Sequence, residues 1–417
     1  MKPMGPIPPE FATHSGDLII AGKTAAQWIE IAGDTPLFVY DTDVVASRIK
    51  RLRAALPTAV AIHYAVKANP ALIATVARLV DGLDIASAGE LAIVQAAAPD
   101  TSVSFAGPGK RDDELSAAIQ VGVTINVESG GEAARALAIG ERLGIRPRLA
   151  VRVNPDLELR GSGMKMGGRA SPFGVEADEV PDVVRAIIDG GAEWRGFHIF
   201  AGSQALDTGA LIEAQAATLA LAARLAEAIG RIPPLVNIGG GFGVPYFPGD
   251  RAVDVEAIGA ALADAMTSLP PSLSGARFAI ELGRWLVAEA GVYLTRIVDR
   301  KISRGETFLI VDGGLHHQLA ASGNFGTVVR RNYPIALVHR MGEAPTDTVT
   351  VVGCLCTPLD RLGDQIVLPE AAVGDVIAIF MAGAYGRSAS PTAFLGHPAP
   401  REIVAGCSDN PNAIFTS

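Results

Sequence analysis

Cysteine is scarce in this chain: Cys354, Cys356 and Cys407 are the only three in 417 residues. Three cannot close a disulfide framework, which points to a reducing compartment. No uninterrupted apolar run reaches the roughly 20 residues needed to span a membrane. The opening Met1-Lys-Pro-Met-Gly-Pro-Ile-Pro-Pro9 is too rich in proline for a secretion signal, so the expected location is the cytoplasm. Basic residues are the minority, 35 against 44 acidic for a net charge of −9, and no basic block or basic-aromatic stripe occurs. Nucleic acid is therefore not an expected partner. Metal ligands are thin as well. Cys354 and Cys356 stand two apart on what reads as a strand, sharing one face, and no neighbouring Cys or His completes a four-ligand zinc set. His316 and His317, read as adjacent strand residues, point apart and belong at the surface or a pocket rim. No metal site is expected.

What the chain does have is apolar mass: 49% hydrophobic residues can bury a large core, and the length suits one large domain with a smaller second one. From about residue 43 to 284, short apolar strands alternate with alanine- and leucine-rich segments of helical spacing, such as 131–143, 211–229 and 258–269. The strands centre on 62–66, 83–86, 103–106, 124–127, 149–153, 196–201, 235–238 and 278–280. Eight such repeats predict a closed (β/α)8 TIM barrel. After Gly291 the pattern turns to extended runs at 292–299, 307–311, 348–356 and 376–381, with Arg304-Gly305 reading as a hairpin turn. The expected organisation is an N-terminal segment, 1–40, whose strand at 37–40 joins the later β-domain, then a barrel over 41–290 and an all-β domain over 291–417. The glycine-rich 161–168 stretch after strand five reads as a mobile loop, with a lid over the site and a plain connector as alternatives.

In a barrel, catalytic groups gather where strands end. Lys67 ends strand one, Asp84 lies in strand two, Arg152 ends strand five, and His198 and Phe200 belong to strand six. Gly239-Gly240-Gly241-Phe242 follows strand seven, and Glu281-Leu-Gly283-Arg284 follows strand eight. A lysine at the end of a buried strand loses hydration, tends towards the neutral amine, and is then a nucleophile for a carbonyl cofactor; pyridoxal phosphate is the candidate. The triple glycine lets a backbone approach a phosphate monoester closely, and Arg284 could add a charge-assisted contact. Glu281, costly if unpaired, suits a pyridine nitrogen; a salt bridge to a core arginine such as Arg152 is the alternative.

Tyr64-Ala-Val-Lys67-Ala-Asn69, Asp84-Ile-Ala-Ser87-Ala-Gly89-Glu90, Gly202-Ser203-Gln204, Gly239-Gly-Gly-Phe242, Glu281-Leu-Gly-Arg284, Cys356-Thr357-Pro-Leu-Asp360 and Gly383-Ala-Tyr385 resemble, in order, the motif set of the fold-type III pyridoxal-phosphate decarboxylases. That family has the alanine racemase-like barrel and includes the diaminopimelate, ornithine and arginine decarboxylases. The resemblance implies an amino-acid decarboxylase working through an aldimine and a quinonoid. Lys67 would be the aldimine lysine, Glu281 the ring-nitrogen partner, Gly239, Gly240, Gly241, Gly283 and Arg284 the phosphate cradle, and Ser203 and Tyr385 cofactor neighbours. It also implies a head-to-tail homodimer in which Cys356 acts in its neighbour's site as a proton donor.

Two departures bear on substrate. Phe200 stands where the family carries a ring-stacking histidine; it can stack but not titrate. His198 corresponds to a second family histidine, with a satisfied core histidine as the alternative reading. Thr357 replaces the acidic residue by which the diamino-acid enzymes hold a distal ammonium, leaving Asp360 as the compensating candidate. The arginine of the diaminopimelate enzymes has no counterpart in 315–322. An uncharged distal end suits a masked or conjugated substrate, and these variants look similar to the decarboxylase acting on carrier-bound glutamyl groups in aminoglycoside assembly and to the exosortase-associated decarboxylases. The alternatives are a free diamino-acid decarboxylase, an amino-acid racemase, against which Glu281 argues, and a cofactor-free regulator, against which the joint presence of Lys67, Glu281 and Cys356 argues.

Overall fold

The computed structural model describes residues 1–155, 159–161, 163–165, 170–323, 331–406 and 413–415. The chain divides into two compact units, one of Arg48–Gly243 with Ala252–Gly283, the other of Met1–Ser47, Val244–Arg251 and Arg284–Ser417. Among the described residues no helix is long and apolar enough to cross a membrane.

The first unit is a closed parallel barrel. Its strands are β1 (Val60–Ala65), β2 (Gly82–Ile85), β3 (Val103–Phe105), β4 (Thr124–Val127), β5 (Arg148–Asn154), β6 (Glu193–Ile199), β7 (Leu235–Gly240) and β8 (Arg277–Leu282). Each pairs with the next, β8 pairs back onto β1, and all eight expected strands are present. They read as continuous apolar runs because a barrel strand is buried on both faces; Ile62, Tyr64, Leu83, Phe105, Ile125, Val151, Val236 and Ile280 are fully buried. Four of the helices that return the chain start on side-chain caps. Ser87, Ser129, Asp207 and Asp254 each accept the backbone N–H three residues on, opening Ala88–Ala97, Gly130–Leu143, Thr208–Ile229 and Val255–Thr267. Each such cap stabilises by about 1 kcal/mol and fixes where the βα loop ends.

The second unit is a mostly β structure. It contains β9 (Gly291–Ser303), β10 (Glu306–Val311), β11 (Ile335–Leu337), β12 (Asp347–Val352), β13 (Arg361–Leu368), β14 (Val376–Ile379) and β15 (Arg401–Ala405). The long β9 organises it: its second half pairs with β10, and its first half with β14 on one side and the early strand Leu37–Asp41 on the other. Three of these strands, β11, β13 and β15, fall outside the sequence expectation.

Two expectations need correction here. The apolar run at 348–356 is a strand only to Val352; Cys354 and Cys356 lie in the loop beyond it and do not share a strand face. His316 and His317 are not surface strand residues. They sit in the turn after β10, 0% and 1% exposed, with ring centroids 3.7 Å apart. Glycines at 313 and 314 let the chain turn there, so consecutive side chains no longer alternate as on a strand. Cys407 and much of the 161–168 stretch, including the question of a lid, lie outside the described residues.

Candidate active site

β1 ends at Ala65, and Lys67 sits in the following single 3-10 turn, Val66–Ala68. The Asn69-Pro70 pair sets this geometry: the Asn69 side chain accepts the Ala71 N–H and Pro70 opens the next turn. Lys67 is consequently exposed rather than buried in the chain alone. The desolvation expected from its strand context is a correction: turning off the strand carries the side chain out of the barrel wall.

Glu281 lies near the C-terminal end of β8, the strand paired directly with β1. It is 7% exposed, and its Oε2 accepts from His198 Nε2 at 2.8 Å. Burial opposes ionisation of this carboxyl, but the His198 hydrogen bond outweighs it. With the charges of His198, Lys67 and Arg152, that bond holds the carboxyl below the usual glutamate range. His198 is thus a partner of Glu281, while its Nδ1 is buried and has no hydrogen-bond partner among the described residues. Arg152 does not form the alternative bridge to Glu281. Its Nη1 donates to Glu128 Oε1 at 2.8 Å and its guanidinium lies 4.9 Å from the Phe173 ring.

Glu128, just past β4, is a rim residue that sequence reasoning missed. It also accepts the N–H groups of Gly107 and Gly174, at 2.5 and 3.1 Å, tying three βα loops together. Its position directly after a barrel strand was the available signal. Asp84 is 7% exposed, pairs through Oδ1 with His63 Nδ1 at 3.2 Å, and has an unpartnered Oδ2 among the described residues.

Gly239 and Gly241 adopt φ of +72° and +78°, open to glycine but strained for other residues. A Cβ on Gly240 would stand 2.1 Å from the Glu281 carbonyl oxygen, and one on Gly241 2.4 Å from that of Gly202. Phe200 lies beside this turn, its Cα 3.4 Å from where a Gly239 Cβ would be, and Ser203 is in the short strand Gly202–Ser203. On the next strand, Gly283 packs against the Lys67 turn, where an added Cβ would be 2.9 Å from Ala68 Cβ. Gly240→Ala is expected to destabilise the protein by about 1–3 kcal/mol and to lose cofactor retention, read by thermal melting and by absorbance after desalting.

Within the second unit, Arg284 lies beside Tyr246 and Tyr385. Arg284 Nη1 donates to Tyr246 Oη at 2.9 Å, and its guanidinium lies 4.6 Å from the Tyr385 ring; its Nε has no partner among the described residues. Tyr385 holds φ +54°, a cost of about 1–2 kcal/mol for a non-glycine residue. Tyr246, three residues past the Gly-Gly-Gly-Phe-Gly run, was also missed; nothing in its neighbours marks it. Cys356 is exposed. Thr357 is half-buried. Asp360 is not placed to meet a substrate cation. It is 2% exposed, and its oxygens accept the N–H groups of Leu315 and Leu355 at 2.6 and 2.9 Å.

This rim fits pyridoxal 5'-phosphate. A cradle too tight for any Cβ suits a phosphate, an ionised carboxylate clasped by a histidine suits a ring nitrogen, and an exposed lysine on the adjacent turn suits a carbonyl.

Comparison with known proteins agrees. Residues 42–288 match the family model described as pyridoxal-dependent decarboxylase, pyridoxal binding domain. The chain is 37% identical over 386 residues to the L-glutamyl-[BtrI acyl-carrier protein] decarboxylase of Niallia circulans, covering 89% of each chain. It is 31% identical to the 2-[(L-alanin-3-ylcarbamoyl)methyl]-2-hydroxybutanedioate decarboxylase of Staphylococcus aureus, covering 88% of this chain and 93% of that one. Among solved structures, diaminopimelate decarboxylase from Helicobacter pylori complexed with L-lysine superposes with a TM-score of 0.80 at 26% identity, covering 93% and 95%. With the family model spanning the barrel and these relatives spanning both units, the chain belongs to the fold-type III pyridoxal-phosphate decarboxylases, carboxy-lyases that act on amino acids.

Proposed function

We propose that this decarboxylase acts on an amino acid whose side chain is conjugated, such as a glutamyl group tethered to a carrier protein, rather than on a free diamino acid. The observation that carries the reading is the neutral Thr357 where the diamino-acid enzymes hold a distal ammonium, together with the commitment of Asp360 to backbone N–H groups. A cationic substrate tail would then enter a closed pocket unpaired, at a cost of several kcal/mol. Two relatives named for conjugated substrates support the same reading.

Pyridoxal 5'-phosphate, when bound, supplies a carbonyl for the substrate amine and an electron-accepting ring for the pair left by the departing carboxylate. Lys67 supplies the tethering amine. Gly239, Gly240, Gly241, Gly283 and Arg284 would hold the phosphate, Phe200 would pack against the ring, and Asp84, Arg152 and Ser203 would border the cofactor. Glu281 keeps a proton at the ring nitrogen, with His198 fixing the carboxylate. Tyr385 orients Arg284 by stacking. In a cytoplasmic head-to-tail homodimer, Cys356 of the partner subunit delivers the proton that replaces carbon dioxide, and Thr357 faces the substrate tail.

The test is carbon dioxide release by the loaded enzyme with free lysine, ornithine, arginine and diaminopimelate, beside glutamate loaded on a carrier protein. Turnover of the tethered substrate is expected, with little on the free diamino acids; efficient turnover of lysine or ornithine would refute the reading. Thr357→Glu is expected to raise kcat/KM for the free diamino acids by roughly tenfold or more and to lower it for the tethered substrate.

A further inference from the structure

His316, Cys354 and His397 come from three separate stretches of the second unit: the turn after β10, the loop after β12, and the segment before β15. Their donor atoms lie within 4.8 Å of one another, with Cys354 Sγ 3.9 Å from His397 Nδ1. His316 is 0% exposed, and neither of its ring nitrogens has a hydrogen-bond partner among the described residues. A fully buried imidazole that meets neither donor nor acceptor is a costly arrangement unless something else fills its coordination.

The surroundings hold this cluster in place. Asp360 accepts the N–H groups of Leu315 and Leu355, each the chain neighbour of a cluster residue, and so clamps the His316 and Cys354 stretches to one carboxylate. Gly314 and Gly353 allow this approach, since a Cβ on either would stand 2.4 or 2.2 Å from the Asp360 carboxylate. His317 does the same for the third stretch. Its Nε2 donates to the Pro398 carbonyl at 2.9 Å, so its Nδ1 is left to accept from Tyr293 Oη at 3.0 Å. His317 is therefore a satisfied core histidine that pins the neighbour of His397. Outer hydrogen bonds that fix the backbone beside each donor are the arrangement expected around a metal centre.

We propose that His316, Cys354 and His397 bind a divalent transition cation of the zinc class. Two imidazoles and one thiolate are borderline-soft donors, and the absence of a carboxylate from the set disfavours calcium, magnesium and manganese. Tetrahedral bonds of about 2.0–2.3 Å put neighbouring donors about 3.5 Å apart, so separations of up to 4.8 Å need to close by at most about 1.5 Å. Three protein ligands leave the fourth position to water, and the half-buried Cys354 and His397 give the ion a path inward. Because Cys354 stands two residues before Cys356, the bound ion ties down the loop that presents the proposed proton donor. The proposal departs from the sequence expectation of no metal site, which placed Cys354 on a strand and the two histidines pointing apart.

The test uses the full, cofactor-loaded enzyme, stripped with a chelator and returned to ZnCl2. One zinc per chain is expected, and X-ray absorption should show one sulfur at about 2.3 Å and two nitrogens at about 2.0 Å. Replacing zinc by cobalt should give tetrahedral d–d bands in the red, clear of the cofactor's absorption. Cys354→Ser and His397→Gln, both at partly exposed positions, should each weaken zinc by roughly 100-fold with the melting temperature of the metal-free protein unchanged. Cys356→Ser should leave the metal and its sulfur in place. Less than one zinc per chain, a coordination without sulfur, or a sulfur that persists in Cys354→Ser and vanishes in Cys356→Ser would each overturn the assignment.

Discussion

Lys67→Ala is expected to lower decarboxylation by about 10²–10⁴-fold or more while leaving folding stability within about 0.5 kcal/mol of the parent. The two halves of this expectation come from one observation. Lys67 is exposed on a 3-10 turn whose geometry is set by Asn69 and Pro70, so the fold does not depend on its side chain. Its neighbours on the rim support the proposed role: its charge is felt at Glu281, and the turn that carries it packs on Gly283. A structural lysine would behave in the opposite way, losing stability and sparing turnover. Lys67→Arg keeps the charge without the nucleophilic amine and should match the alanine variant in turnover. The readouts are the rate of carbon dioxide release, the melting temperature, and cofactor absorbance surviving desalting. Turnover within tenfold of the parent in either variant would remove Lys67 from the mechanism.

The barrel was legible because its physics is repetitive. A strand buried on both faces reads as apolar throughout, and a helix covering it shows a period of 3.6 residues, so eight strands and the long helices stand out from the sequence. The second unit is less regular. β13 carries Gly363, Asp364 and a left-handed Gln365 with φ +50°, which break its alternation. β15 opens on Arg401-Glu402, and the buried Glu402 is held by the Arg387 guanidinium and by Tyr40 Oη, which donates to it at 2.8 Å from a strand 362 residues away by sequence, a partner no local pattern reveals. The same limit applies at the site. Residue types at strand ends made Lys67, Glu281 and the glycine turn candidates, yet the His198 clasp on Glu281, the Glu128 hub and the Asp360 clamp depend on pairings between distant stretches. Strand periodicity also misled where a glycine ended the strand, at Gly353 before Cys354 and at Gly313 before His316. Those two errors concealed the same cluster.

Glu281→Gln is expected to reduce turnover by about 10²–10³-fold, the loss typical of removing one preorganised electrostatic partner. The amide has the shape of the carboxylate and can still accept from His198, so the variant isolates the charge. Glu281→Ala also removes the acceptor, leaving buried His198 without its partner at Nε2 and costing roughly 1–3 kcal/mol of stability beyond the glutamine variant. The pH dependence follows from the direction in which the carboxyl is moved. Its folded-state pKa lies below the ordinary value of 4.5 because the His198 hydrogen bond and the charges of His198, Lys67 and Arg152 outweigh burial. A depressed carboxyl stabilises the folded chain fully above the unfolded value, and that contribution is lost as pH falls through the folded value. Urea unfolding midpoints should therefore fall more steeply with acid, below about pH 4.5, in the parent than in Glu281→Gln. Equal slopes would show that Glu281 is not held ionised. A glutamine variant with parental turnover would show that the charge, though present, does not serve the reaction.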